Sequence, residues 1–323
     1  MEELKNEMKK IGRFIIICSI LLITIKFCCY KEENIKLTSS FININSFLFH
    51  DFTENIADSF IVSENVDIEN YFQFIDSIVT VYDSLTPYKL TEHLLVRANS
   101  WIIDTLQNTD YYRMMARDSF VYDQKKMVVL PRGASITIPD SIVAKVILKS
   151  FLKTSININI PEFKLRIVTD TLQLYEFPIR VGRNEKKYLE MSGRMQDLKT
   201  KTGDGRVVNH IRNPRYANPV NNHDYFVTKR DDHRVTKLPQ IPFVETEING
   251  LRYGQLIHPT TNPETLGKAY SNGCIGTKEA DAWVIYYYTP LGTKVKIRYN
   301  LDVINEAGDS IRLKDIYGYK MKK

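Results

Sequence analysis

Cys274 and His258 are the residues of this chain best equipped for chemistry. Cys274 sits in Ser271-Asn272-Gly273-Cys274-Ile275-Gly276, and fifteen residues separate it from His258. The other three cysteines, Cys18, Cys28 and Cys29, fall in or beside an apolar N-terminal run. The thiolate is the reactive form of cysteine, and a neighbouring imidazole generates it by taking the proton or by stabilising the charge. Gly273, directly before the thiol, permits a tight turn. The N–H groups around Gly273 and Cys274 are candidate donors to an oxyanion. Pro259 fixes its own φ and biases His258 away from helix, which suits a histidine at a strand end. Alone, a free cysteine is more often a small buried hydrophobe and a single histidine a satisfied structural one. The combination of His258, Gly273 and Cys274 at this spacing favours catalysis.

Positioning these groups requires rigid elements. Leu251–Ile257 reads as a strand running into His258. Leu165–Asp170 and Leu172–Gly182 read as paired strands joined at Thr169-Asp170-Thr171. Arg206–Val208, Tyr225–Val227 and Gly292–Tyr299 are further strands. Glu279–Tyr288 reads as an amphipathic helix with Thr277 as its N-cap. Many strands and one helix predict a β-rich, sandwich or barrel-like domain. Upstream, the apolar spacing of Leu94, Leu95, Ala98, Ile102 and Leu106 predicts one helix over Thr91–Gln107, capped by Thr91. Met127–Leu130 and Ser135–Ile138 read as strands, and Pro139-Asp140-Ser141 opens another short helix. The whole is α+β, with a small α+β module before the β-rich domain.

Composition narrows the function class. Hydrophobic residues make up 43% and charged residues 25% of the 323, ordinary for a globular protein with a sizeable core. Outside residues 1–30 there are 39 basic and 35 acidic side chains, too even a balance to argue for nucleic acid. His210, His223 and His233 match no zinc spacing and read as solvated or loop-bracing. Lys9, Lys10 and Arg13 precede Phe14–Ile25, an apolar stretch shorter than the ~20 residues of a free-standing membrane span. That pattern reads as a secretory signal or short uncleaved anchor, and Cys28 or Cys29 offers a lipidation alternative. The expectation is an extracytoplasmic protein of the periplasm or cell envelope, attached to the membrane through this segment or released from it.

The segment Ile257–Ile275 closely resembles the active-site segment of the L,D-transpeptidases, the YkuD-type catalytic domain. The shared signature is a His, a spacer of this length, Ser or Thr, a variable residue, Gly and Cys. The strand ending in Val181-Gly182, the turn Thr200–Gly205 (with Lys201 where proline is usual) and Tyr288–Val295 resemble other parts of that domain. The resemblance covers roughly residues 164–300. With the N-terminal pattern it divides the chain into four segments: a signal or anchor at 1–30, an N-terminal α+β region of unknown role at 31–163, the catalytic domain implied by the resemblance at 164–300 and a basic tail at 301–323.

By resemblance, Cys274 is the nucleophile, His258 its base, and Pro259 orients the imidazole through its backbone carbonyl. Tyr253, Ser271 and Asn272 are candidate substrate-binding residues, with Ser271 better suited to bracing the loop than to a second nucleophile. The implied reaction acylates Cys274 with a peptidoglycan tetrapeptide stem, releases D-alanine and passes the acyl group to an amine. Water as acceptor gives an L,D-carboxypeptidase. A non-catalytic wall-binding or regulatory protein and a cysteine peptidase of another fold are the alternatives. No metal, nucleotide or prosthetic group is required, and the family is acylated by carbapenems. One departure concerns substrate binding. Gly276 stands where the family usually carries Arg or Asn, and Arg212, Arg215, Arg230 and Arg234 are candidates to replace that side chain.

Overall fold

A computed structural model describes residues 58–305 and 307–319. The N-terminal segment expected to be a signal or anchor lies outside the described residues. Among the described residues, no helix is long and apolar enough to cross a membrane.

The protein is α+β, as expected. Its main sheet has eight strands: β1 (Thr154–Asn159), β2 (Lys164–Thr169), β3 (Leu172–Pro178), β4 (Gly203–Ile211), β5 (Phe243–Ile248), β6 (Leu256–Pro259), β7 (Ile275–Thr277) and β8 (Lys294–Arg298). Their order across the sheet is β7-β6-β5-β4-β8-β1-β2-β3. Most neighbours are antiparallel; β8 with β1 and β6 with β7 are parallel. Just past β3, Arg180 bridges back to Gly276 on β7: Arg180 N–H donates to Gly276 O at 2.9 Å and Gly276 N–H to Arg180 O at 3.0 Å. The two edges therefore meet at one bridge, and the sheet is near-closed and barrel-like. β1 is an interior strand of this sheet, at residues that the sequence reading groups with the N-terminal region.

Alternation builds the sheet's core. Ile156 and Ile158 on β1, Leu165 and Ile167 on β2, and Val295 and Ile297 on β8 point inward and are buried. Helix α1 (Ile68–Asp83) is capped by Asp67, whose side chain accepts from Asn70 N–H, and buries Ile68, Tyr71, Phe72, Ile75 and Ile78, an i, i+3, i+4, i+7 stripe. The region read as one helix over Thr91–Gln107 is two, α2 (Glu92–Ala98) and α3 (Ser100–Gln107). Asn99 breaks it: its amide donates to Leu95 O and Thr137 O and accepts from Thr137 N–H, so the side chain binds a neighbouring strand. Thr91 caps α2 as expected. After the short α4 (Tyr111–Met115), α5 (Ser141–Lys153) starts on Asp140 and feeds straight into β1.

Helix α6 (Glu279–Tyr288) differs from expectation. It is buried on nearly every side, not amphipathic, and Lys278 holds its N-cap position while Thr277 ends β7. The reason is a second layer. Tyr71 and Phe72 of α1 pack on Trp283 and Tyr286, and Tyr71 and Tyr287 share a hydrogen bond at 2.7 Å. The helices before β1 and the sheet thus enclose α6 in one continuous core. Asp110 ties the two ends together: one carboxylate oxygen caps α4 and the other accepts from Ala280 N–H at the start of α6.

Beside that junction, Arg230 and Glu279 form an ion pair with both side chains almost fully buried. Glu279 also accepts from Tyr111 N–H and Gln124, and Arg230 donates to Gln124 and Thr236. Removing one partner strands the other charge in the core. Arg230→Ala should cost about 3–5 kcal/mol of stability, read as a shift in the urea midpoint, while pairing Arg230→Met with Glu279→Gln should recover part of that loss.

Candidate active site

His258 lies on β6 and Cys274 immediately before β7. The two strands pair in parallel with Ile257 opposite Ile275, His258 opposite Gly276 and Pro259 opposite Thr277. Ile257 and Ile275 face the core, so His258 and Gly276 face the other way. Cys274 lies two residues before Gly276, immediately outside the strand, and both it and His258 feel the charge of Arg180. Both Cys274 and His258 are half-buried.

The imidazole is fixed by its neighbours. Nδ1–H donates to Pro259 O at 2.9 Å, which leaves Nε2 as the acceptor. Phe243, itself held edge-on by Tyr216, lies against the ring at 5.0 Å. Burial and, after it, the Arg180 charge push His258 down to about 4, against an upward pull from the Pro259 carbonyl. Burial pushes the Cys274 thiol up, opposed by the Leu256 backbone N–H and by Arg180. Sγ–H contacts Gly254 O at 3.9 Å. At neutral pH both groups are therefore uncharged, and the imidazole is free to take a proton.

The Cys274 loop is braced from several sides. Ser271 Oγ donates to Cys274 O at 2.5 Å and accepts from Gly273 N–H at 3.2 Å, so its hydroxyl is spent on the loop and Cys274 N–H remains of the two candidate oxyanion donors. Gly273 has φ of +115°, in the left-handed region. Its carbonyl accepts from Thr200 Oγ1 at 2.9 Å, and the same hydroxyl accepts from Gly182 N–H at 2.8 Å. Tyr317 completes the knot, donating to Gly182 O and accepting from Thr200 N–H. It is only 3% exposed, within the segment expected to be a basic tail. A Cβ on Gly182 would lie 1.9 Å from Leu198 O, so the strands can cross here only at glycine.

Asn272 accepts from Arg183, and Tyr253 stands on the loop before β6, 48% exposed and adjacent to Gly254. The four arginines considered for the place of the family side chain are all paired: Arg212 with Asp76 and Glu92, Arg215 with Asp224, Arg230 with Glu279, Arg234 with Asp232. Of the three histidines read as solvated or loop-bracing, His210 lies on β4 and is stacked on His93, with Nε2 at 3.0 Å from Thr289 O at the end of α6.

Residues 153–297 match the family described as YkuD, L,D-transpeptidase catalytic domain. The chain carries a YkuD-type L,D-transpeptidase catalytic domain. The matched segment begins at the end of α5 and takes in β1 through the fourth residue of β8, with His258, Cys274 and the Thr200 turn inside it. Solved structures similar to this chain include an L,D-transpeptidase from Mycobacterium tuberculosis H37Rv (15% identity, 45% of this chain and 57% of that one, TM-score 0.28). L,D-transpeptidase 3 from Mycobacterium tuberculosis, solved with a faropenem-derived adduct, gives 16%, 45%, 60% and 0.28 in the same order. The L,D-transpeptidase from Xylanimonas cellulosilytica DSM 15894 gives 12%, 76%, 100% and 0.33. The chain spans somewhat over half the length of the mycobacterial structures. No curated protein matches it.

The charge states predict a pH signature. With the thiol protonated at rest, alkylation of Cys274 by iodoacetamide should climb about tenfold per pH unit between pH 6 and 8. A rate already flat from pH 5 would reveal a preformed thiolate–imidazolium pair instead. In turnover His258 is neutral above its folded value, so the acid limb of kcat/KM should fall near pH 4, below the ordinary histidine range.

Proposed function

We propose that this protein is an exported cysteine L,D-transpeptidase acting on peptidoglycan stem peptides. The reading is carried by an imidazole on one of two strands paired in parallel and a thiol immediately before the other, inside a segment that matches the transpeptidase domain.

In the proposed reaction His258 Nε2 takes the Sγ proton as sulfur attacks the carbonyl between the diamino acid and the terminal D-alanine. The carbon–nitrogen bond breaks, and the proton passes from His258 to the leaving D-alanine amine. A thioester remains on Cys274. An acceptor amine then attacks that carbonyl and gives up a proton to His258. The carbon–sulfur bond breaks, the thiol reforms, and a cross-link results. Water in place of the amine yields trimming. Cys274 N–H is the donor best placed to receive the developing oxyanion, a contribution of about 3 kcal/mol for a preorganised donor. The candidate binding residues divide by accessibility: Tyr253 is open to substrate, Asn272 is half-buried against Arg183, and Ser271 is committed to the loop.

Muropeptide analysis after incubation with purified sacculi should reveal new cross-links or D-alanine release, both lost in Cys274→Ala. His258→Gln should lower turnover by about 100-fold or more, the usual weight of a general base. Incubation with a carbapenem should add one adduct mass at Cys274. An unmodified protein with unchanged sacculi would instead favour a wall-binding module.

A further inference from the structure

Gly276 has a neighbour that accounts for its identity. A Cβ built there would meet Arg180 Nε at 2.5 Å, Cγ at 2.7 Å and Cδ at 3.0 Å. The Arg180 side chain therefore lies across the glycine, on the strand position opposite His258 and two residues from Cys274. The backbone bridge between Arg180 and Gly276 fixes this arrangement at the root.

Several arginines of this protein are held by carboxylates, among them Arg166, Arg212, Arg230 and Arg252, and the half-buried Arg97 stacks on Tyr288. Arg180 is half-buried and differs. Nη1 donates to the Thr265 hydroxyl at 3.1 Å, Nε has no hydrogen-bond partner, and no carboxylate among the described residues forms an ion pair with it. The titratable groups around it are Cys274, Tyr270 before the Cys274 loop, His258 on β6 and Asp231 in the turn of the hairpin formed by Val227–Lys229 and Val235–Lys237. The Asp231 oxygens are already engaged by Asn262 and by Glu264 N–H. A cation withdrawn from water, without its own counter-ion, beside a nucleophile points to an anion that forms there.

We propose that Arg180 is the counter-ion of the Cys274 thiolate, carried in from the opposite sheet edge through the space that Gly276 leaves open. It acts through Cys274 and is a positioning residue for charge. When Sγ passes its proton to Nε2, Arg180 keeps its own protons and holds the negative sulfur. This inference adds to the proposed function, but its test reads the sulfur alone and needs no peptidoglycan turnover.

Cys274 alkylation is measured with neutral iodoacetamide and with anionic iodoacetate. On the intact protein, the iodoacetate-to-iodoacetamide rate ratio should exceed that of free cysteine several-fold, because a cation beside sulfur attracts the anionic reagent. Arg180→Gln should abolish that preference and lower the iodoacetamide rate at pH 7.5 about tenfold, the equivalent of one pKa unit. The two profiles should converge at high pH. Arg180→Lys should retain most of the effect, and Gly276→Arg in an Arg180→Ala background should restore it from the other strand. A wild-type ratio equal to that of free cysteine overturns the proposal even if the variants fail to fold. So does an unchanged profile in folded Arg180→Gln. A shifted profile in a protein inactive on sacculi would leave Arg180 in place and remove the transpeptidase reading.

Discussion

The parallel pairing of β6 with β7 is the constraint on which the site depends. Placing His258 opposite Gly276 sets Cys274 two residues from the histidine's strand partner. A slip of one residue would turn either side chain into the core and bring Ile257 or Ile275 out. The register is held from both ends. Past β6, Thr260 N–H donates to Thr277 O at 2.8 Å, and on the other side of β7 the Arg180–Gly276 bridge closes the sheet. Gly276 is thus the meeting point of three strands, and its missing side chain is what makes room for the third.

The helices before β1 serve the same register at a distance. They cover α6, which follows β7 after one residue. Asp110 satisfies a free N–H at the start of that helix, and Glu279 takes the Tyr111 N–H in return. Tyr112 reaches further: its hydroxyl donates to Thr261 O, just past His258, and accepts from Asp231 N–H on the hairpin turn. The upstream region, which shows no chemistry in its sequence, grips the segments that follow both the imidazole and the thiol.

Local signals were legible in the sequence, and long-range ones were not. The Cys274 loop, the strand-end His258, the Thr91 cap and the hairpin around Asp170 follow from short-range spacing and turn chemistry, and each has its place in the fold. Helix α6 reads as amphipathic only while its second covering layer is unknown; Tyr286 and Tyr287 are both buried because sheet and α1 approach from different sides. Asn99 breaks a continuous apolar stripe by bonding to Thr137, a residue 38 positions away. Arg180, Thr200 and Tyr317 reach the site from strands, turns and a C-terminal segment that only the closed sheet brings together. Two signals were present: Thr200 opens the turn resembling the family's, and the glycine at 276 marks a space filled from elsewhere.

The electrostatics suit a reaction with two proton transfers more than one with a standing ion pair. A histidine held near pH 4 is a weak base toward the thiol, yet once protonated it is a strong acid. In the proposed reaction the difficult event is expulsion of an amine, which must leave protonated, and a reluctant imidazolium supplies that proton readily. The weak-base half is offset by the Arg180 charge, which favours anionic sulfur while disfavouring cationic imidazole. One guanidinium therefore biases both transfers in the direction the acylation step needs: it favours negative charge on sulfur as the thiol gives up its proton, and it favours the ring's release of that proton as the leaving group departs.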